Sequence, residues 1–234
     1  MTLSPDEIVY FHLGPLAVNA TLVFTWLVVA LLVGVSAVVS RNLRVTGKPR
    51  AGQNALEALV EFVLGQIRDV TQQDPRPYLP FVGTLFLFIV TSNVLSAVPG
   101  FHPPTGSLTT TMALALSVLL AVPVFGIGRV GLRAYLTGYL RPSPIMLPFT
   151  IIGELSRTLA LAVRLFGNIM SGSVVVAILL SVAPLFFPVI MQAFGLLIGI
   201  IQAYIFAILA IVYIASATAE HERRSASGTE GGTS

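Results

Sequence analysis

The run Leu161-Ala162-Val163-Arg164-Leu165-Phe166-Gly167-Asn168 places a guanidinium in the middle of an apolar segment, and the next charge along the chain is Glu220. A charged side chain at the centre of a membrane helix costs about 2.5–3.5 kcal/mol on insertion scales, so it persists where a function or a partner uses it. The stretch therefore decides two questions together. It requires a helix in an apolar medium, and it requires a use for Arg164.

The rest of the chain supplies the medium. Hydrophobic residues make up 55% and charged residues 10% of the 234 positions, and the 13 bases and 10 acids cluster in short stretches between long uncharged runs. That is the pattern of an all-α polytopic membrane protein. The first uncharged run, Leu13 to Ser40, exceeds the ~20 residues a spanning helix needs. Asp6 and Glu7 precede it in place of a basic n-region, and its apolar part is too long for a cleavable signal, so it is expected to be retained. There are no cysteines, which excludes disulfides, thiolate metal sites and thiol redox chemistry.

Breaks at charge clusters and proline groups place spans near 16–40, 79–98, 107–128, 145–181 and 186–218. Five spans put the termini on opposite sides. Basic residues lie beside span ends: Arg41, Arg44, Lys48 and Arg50 after the first, Arg129, Arg133 and Arg141 after the third, and Arg223 and Arg224 in the tail. The loops Pro99–Ser107 and Val182–Phe187 contain no Lys or Arg. The positive-inside rule then sets the N-terminus outside and the C-terminus in the cytoplasm. The same rule accounts for the net charge of +3 without nucleic acid.

Between Gln53 and Thr71, Leu56, Leu59, Val60, Val63, Ile67 and Val70 recur at helical spacing, with Gln53, Asn54, Glu57, Glu61 and Arg68 on the other side. This predicts an amphipathic helix over 53–71 at the cytoplasmic surface, serving either as a lipid-interface anchor or as a docking face for a partner. Asp74-Pro75-Arg76-Pro77 ends it. The prolines and glycines from Pro99 to Gly106 make an external turn between the spans of a 79–128 hairpin. His102 in that turn reads either as a proton relay or as a solvated polar residue. The Ser-, Gly- and Thr-rich tail, 219–234, is expected to be flexible.

At 100° per residue, Arg157, Arg164, Asn168 and Ser171 fall within a sector of roughly 60°, with Glu154 adjoining it. Lipid cannot satisfy such a stripe, so it faces a partner helix or a water-filled cavity. The segment from Ile145 to Ser181 would extend ~55 Å against a ~30 Å core, so it is tilted, broken or protruding. With the last span it forms a long helical hairpin over 145–218. In that last span Gly195, Gln202 and Tyr213 lie near one face, where glycine and glutamine also serve as packing residues. Glu154 lies ~15 Å along the helix from Arg164, too far for contact, and reaches Arg157 at i+3. Arg164 thus lacks an intramembrane anion in its own chain. Arginine holds its charge at any accessible pH, so it attracts a carboxylate and blocks a path rather than conducting protons.

No His-Glu-x-x-His or Gly-x-Ser-x-Gly element and no intramembrane aspartate pair is present, which argues against a membrane enzyme and against a metal or cofactor site. A self-contained ion transporter or channel remains as an alternative, although it should show paired repeats and a complete intramembrane charge set.

At these residues the chain resembles subunit a of F-type ATP synthases. Ala162-Val163-Arg164-Leu165-Phe166-Gly167-Asn168 is similar to that family's signature. Ile201-Gln202-Ala203-Tyr204-Ile205-Phe206 and Ile211-Val212-Tyr213-Ile214 are similar to its last helix, and Asn93–Pro104 with Leu108–Leu114 to its middle region. The resemblance spans residues 55–221. It implies a non-catalytic F0 subunit of a bacterial inner membrane, in which two aqueous half-channels meet a ring of c subunits, each with an ionisable carboxylate. The b subunits of the peripheral stalk, the F1 sector indirectly and the lipid bilayer are the other implied partners.

By the same resemblance Arg164 matches the arginine that receives the c-ring carboxylate. At ~4 Å and an effective dielectric near 20 that attraction is about 4 kcal/mol. Gln202 would lie opposite Arg164 and help position it, Asn168 would line a half-channel, and Glu154 and Arg157 would line the inner one. Two departures stand out. Ser173 occupies the place of a glutamate nine residues after the arginine, and Gly195 that of a histidine. Outer conduction then rests on water, on Ser173 or on another residue, and the ion is a proton or, as in some relatives of the complex, sodium.

Overall fold

The computed structural model describes residues 6, 9–13, 16–41, 51–72, 74–98, 100–133, 135, 146–182 and 187–230. Two short antiparallel strands, β1 (Val9–Leu13) and β2 (Leu16–Asn19), open the chain. Six helices follow: α1 (Ala20–Arg41), α2 (Ala51–Thr71), α3 (Leu79–Leu95), α4 (Leu108–Val130), α5 (Met146–Val182) and α6 (Phe187–Glu230). Among the described residues α1, α4, α5 and α6 contain stretches long and apolar enough to cross a membrane, and α3 is a shorter apolar helix of 17 residues. Three successive tight bonds, from the amides of Ser96, Ala97 and Val98 to carbonyls three residues back, prolong α3 to Val98.

Two elements differ from the sequence expectation. Residues 16–19 belong to β2 rather than to the first span, so α1 begins at Ala20. Val9, Tyr10 and Phe11 have the β-branched and aromatic side chains that suit a pleated strand, and an uncharged run does not separate such a strand from the helix after it. The last helix continues to Glu230, past the Glu220 beyond which composition suggests a flexible tail. A helix already nucleated propagates at little cost through Ala-, Glu- and Arg-containing sequence. The expected span starts at 145 and 186, the basic residues Arg44, Lys48, Arg50 and Arg141, and residues 231–234 lie outside the described residues.

The core forms where α6 packs against α3, α4, α5 and α2. Ile67 of α2, Val82 and Ile89 of α3, Val118 of α4, Leu161 and Leu165 of α5, and Phe206, Ile211 and Ile214 of α6 are all buried. Ala162, Ala203, Ala207 and Ala210 are buried with them, and such small side chains let helix backbones approach closely where lipid supplies no hydrophobic drive to pack. Elsewhere the helices turn apolar side chains outward, with Trp26 72%, Phe149 71% and Val189 68% exposed. An outer surface of that kind fits a bilayer and not water. α1 is peripheral, burying Ala20, Thr21 and Val28.

Local signals fix the helix ends near the site. Ser107 caps α4, its hydroxyl accepting from the Thr110 amide at 3.5 Å. At the other end Gly131 adopts φ 81° and donates to the Ile127 carbonyl, a left-handed conformation that suits glycine. Buried Tyr135 then packs on Gly126 so closely that a Cβ there would come 2.5 Å from its ring.

Candidate functional site

The polar stripe runs along α5, a helix of 37 residues facing both the core and the outside. Leu161, Ala162 and Leu165 point inward and are buried, whereas Val163, Arg164 and Gly167 are exposed. Arg164 therefore emerges from the outer apolar surface, flanked by exposed Leu159 and Val163. Among the described residues no ion pair or hydrogen bond holds its guanidinium. Arg157, two turns earlier, is exposed as well, but its guanidinium carbon lies 5.6 Å from the centroid of the Tyr213 ring on α6. That is within cation–π range, and it couples the two long helices.

The remaining sequence-predicted residues divide by exposure. Ser171 and Ser173 are exposed and Glu154, Asn168 and Tyr213 half-buried. The Ser171 hydroxyl donates to the Asn168 carbonyl at 3.1 Å, and that of Ser173 to the Ile169 carbonyl at 2.9 Å. Such bonds back to the preceding turn let a hydroxyl sit in an apolar medium and be released when a better partner arrives. Thr158 likewise donates to the Glu154 carbonyl at 2.9 Å. Gln202 is different: only 6% of it is exposed, and its Nε2 is buried with no hydrogen-bond partner among the described residues. The structure thus brings Arg157 and Tyr213 together, and sets Arg164 on the surface and Gln202 in the interior.

Sequence reading assigned no role to the polar centre beside Gln202. Asn93 of α3, 2% exposed, donates from Nδ2 to the Gly199 carbonyl of α6 at 2.8 Å. Its Oδ1 accepts from the buried Thr105 hydroxyl at 3.4 Å. Gln192 of α6 donates to the Ser96 carbonyl at 3.1 Å. A Cβ on Gly199 would lie 2.9 Å from Asn93 Nδ2, so glycine there is a condition of the contact. In the sequence Gln192 and Gly199 lie to the side of the face that carries Gly195, Gln202 and Tyr213, a placement that also fits mere helix packing.

α2 is seated by a second polar contact. The Tyr204 hydroxyl of α6 donates to Gln66 Oε1 at 2.6 Å, and the Tyr204 and Phe62 rings lie 6.1 Å apart. The inward face of the amphipathic helix is thus occupied by this chain, with Val63 and Ile67 buried. His102 lies in the α3–α4 turn with its ring 5.9 Å from Phe24. Among the described residues no group of three or more His, Cys, Asp or Glu could hold a metal ion.

Comparison with known proteins places these features in a family. The family model for the ATP synthase A chain matches residues 22–215. ATP synthase subunit a 2 of Acaryochloris marina is 58% identical over 218 residues, 93% of each chain. ATP synthase subunit a 2 of Picosynechococcus sp. is 57% identical over 224 residues, 96% of each chain. ATP synthase subunit a of Albidiferax ferrireducens is 55% identical over 219 residues, 93% of this chain and 94% of that one.

Proposed function

The chain belongs to the ATP synthase A chain family and is a non-catalytic membrane subunit of the F0 sector involved in ion translocation; from that premise we propose that Arg164 is the residue that couples ion movement to a rotating ring. The observation that carries this reading is the exposure of Arg164 on an apolar outer face with no partner among the described residues. Left against lipid, the charge would be strongly unfavourable. A ring of c subunits, each bringing one carboxylate past α5, supplies the missing anion in turn.

The physics of the step follows from arginine's chemistry. A fixed guanidinium favours the ionised form of an arriving carboxylate, so the carboxylate releases its ion to one half-channel before it faces Arg164 and takes one up after it leaves. Because arginine itself neither gains nor loses a proton, the two half-channels do not short-circuit through it. A membrane potential acts on the moving charge with about 2.3 kcal/mol per 100 mV, which biases the direction of rotation.

Around this centre the other residues take supporting roles. Glu154 and Arg157, with Tyr213 holding Arg157, line the half-channel toward the cytoplasm. Asn168, Ser171 and Ser173 line the outward-facing continuation of α5, and Gln202 supplies a polar group in the interior of α6. In this arrangement α5 and α6 form the hairpin facing the c ring, the N-terminus is outside, and α2 and the end of α6 lie on the cytoplasmic side. The b subunits contact the subunit away from the ring, and F1 is reached through them. The ion is a proton, with sodium as the variant to be tested.

The test is ATP-driven ion uptake into vesicles containing the assembled complex, with and without sodium. Arg164→Ala should abolish uptake while the complex stays assembled. Wild-type uptake in an assembled Arg164→Ala complex would overturn the assignment.

A further inference from the structure

The first half of α6 touches the rest of the molecule along one narrow line. Among the side chains described between Phe187 and Ile201, Gly199 is buried, Gln192 and Leu196 are half-buried, and the others, such as Phe194, Leu197 and Ile198, are exposed. Positions 192, 196 and 199 share one helix face. Two of the three are bonded to α3: Gln192 Nε2 donates to the Ser96 carbonyl at 3.1 Å, and the Gly199 carbonyl accepts from Asn93 Nδ2 at 2.8 Å. Gln192 and Gly199 stand two turns apart, about 10 Å along the helix. From Gln202 onward α6 is embedded more deeply, with Ala203, Phe206, Ala207 and Ala210 buried.

Both bonds run from a side chain to a backbone carbonyl, and the chain prepares each carbonyl for its donor. Ser96 follows the last residue of α3, where carbonyls lack intrahelical partners, and Pro99 three residues on has no N–H to offer. At Gly199 the missing side chain lets Asn93 reach the backbone, since a Cβ there would lie 2.9 Å from Asn93 Nδ2. The Asn93 amide is oriented from its other end, where Oδ1 accepts from Thr105 at 3.4 Å. In a bilayer, apolar contact between helices gains little over contact with lipid, so hydrogen bonds and close packing hold helices together. One bond would leave this half of α6 free to swing about it. Two bonds at separate turns fix both its tilt and its axial register against α3.

We propose that Asn93 and Gln192 are positioning residues for ion translocation, a two-point latch that holds the first half of α6 against α3 throughout the cycle. The inference rests on the ring-coupled reading above and extends it to two residues that act through the placement of α6. A helix that swung away from α3 under the load of the ring would let ions cross without turning it, and would let the ring turn without carrying ions. If the two bonds only stabilised the fold, their loss would lower the yield and thermal stability of the complex and leave the number of ions moved per ATP unchanged.

The chain has no cysteine, and a Cβ at Gly199 would lie 3.1 Å from Asn93 Cβ, a little inside the roughly 3.5–4.5 Å that a disulfide spans. The pair Asn93→Cys with Gly199→Cys therefore replaces the amide–carbonyl bond by a covalent one that a reductant opens. The experiment measures ATP-driven ion uptake and ATP hydrolysis on the same vesicles of assembled complex before and after reduction, with wild type treated alike as the control. In the oxidised pair the ions moved per ATP should match wild type. Reduction should lower that ratio about threefold, the equilibrium factor that one interhelical hydrogen bond in a membrane is worth, and reoxidation should restore it. Asn93→Leu and Gln192→Leu, which keep the packing volume, should lower the ratio likewise, and they carry the test if the disulfide does not form. An unchanged ratio in the reduced pair or in the leucine variants would overturn the proposal. So would an oxidised pair that no longer pumps, because the contact would then have to open during the cycle. Arg164→Ala in the same vesicles separates the two readings, since wild-type uptake there would sink the coupling role and leave the redox dependence of the cysteine pair standing.

Discussion

Asn93 and Gly199, separated by 106 residues, meet at the centre of the helix packing through a 2.8 Å bond from the Asn93 amide to the Gly199 carbonyl. The bond exists because α6 has no side chain at that position, so α3 can bring a polar group against its backbone. A helix carbonyl that accepts a second hydrogen bond is a polar spot in an otherwise apolar interior, and this one lies one turn from Gln202.

Gly199→Ala should therefore destabilise the subunit by about 1–3 kcal/mol, the usual cost of overpacking a filled interior, because the new Cβ would come 2.9 Å from Asn93 Nδ2. Thermal unfolding of the detergent-solubilised complex measures it. Adding Asn93→Ala should recover most of the steric part of the loss, so the double variant should be more stable than the sum of the single effects predicts.

Arg164→Lys is expected to leave assembly intact and to fail in coupled transport. Lysine is a compact, strongly hydrated charge that readily releases its proton when desolvated, whereas the guanidinium stays charged and presents a planar fork to a carboxylate. ATP-driven ion uptake near background in an assembled Arg164→Lys complex is the expected result, and near-wild-type uptake would show that a simple positive charge suffices.

The contact between Arg157 and Tyr213 should be worth about 0.5–2 kcal/mol. Tyr213→Phe keeps the ring face and should transport at close to the wild-type rate. Tyr213→Leu removes the face and should slow transport, as measured by uptake rates normalised to assembled complex. Equal loss in both variants would assign the effect to the hydroxyl instead.

Tyr204→Phe should weaken the seating of α2 by about 1 kcal/mol, the usual net value of one intramolecular hydrogen bond. Gln66→Leu should do the same, and the double variant should cost little more than either alone, because both remove one bond of 2.6 Å. Hydrogen exchange of the α2 amides reads the change directly.

Gly126→Ala tests the packing of α4 against the buried Tyr135. Its Cβ would come 2.5 Å from the buried Tyr135 ring, so it should destabilise by about 1–3 kcal/mol. Thermal unfolding of the detergent-solubilised complex measures the loss.

By itself the sequence determined the class of molecule, the polar stripe and its one decisive charge. Uncharged runs of spanning length and the cost of a guanidinium in lipid are local properties, readable residue by residue. The 3.6-residue period likewise marked α2, because one side of that helix is polar and the other apolar. Only the tertiary structure decided which residues of α5 and α6 face outward and which face in. Bilayer and helix interior are equally apolar, so a membrane helix shows little contrast between its faces; Arg164 on the surface and Gln202 in the interior come from packing alone. Packing also decided the bonds of Asn93 to Gly199, of Tyr204 to Gln66 and of Asp6 to Ser107. Those partners lie 101 to 138 residues apart, and no local period or capping signal encodes a contact at that distance.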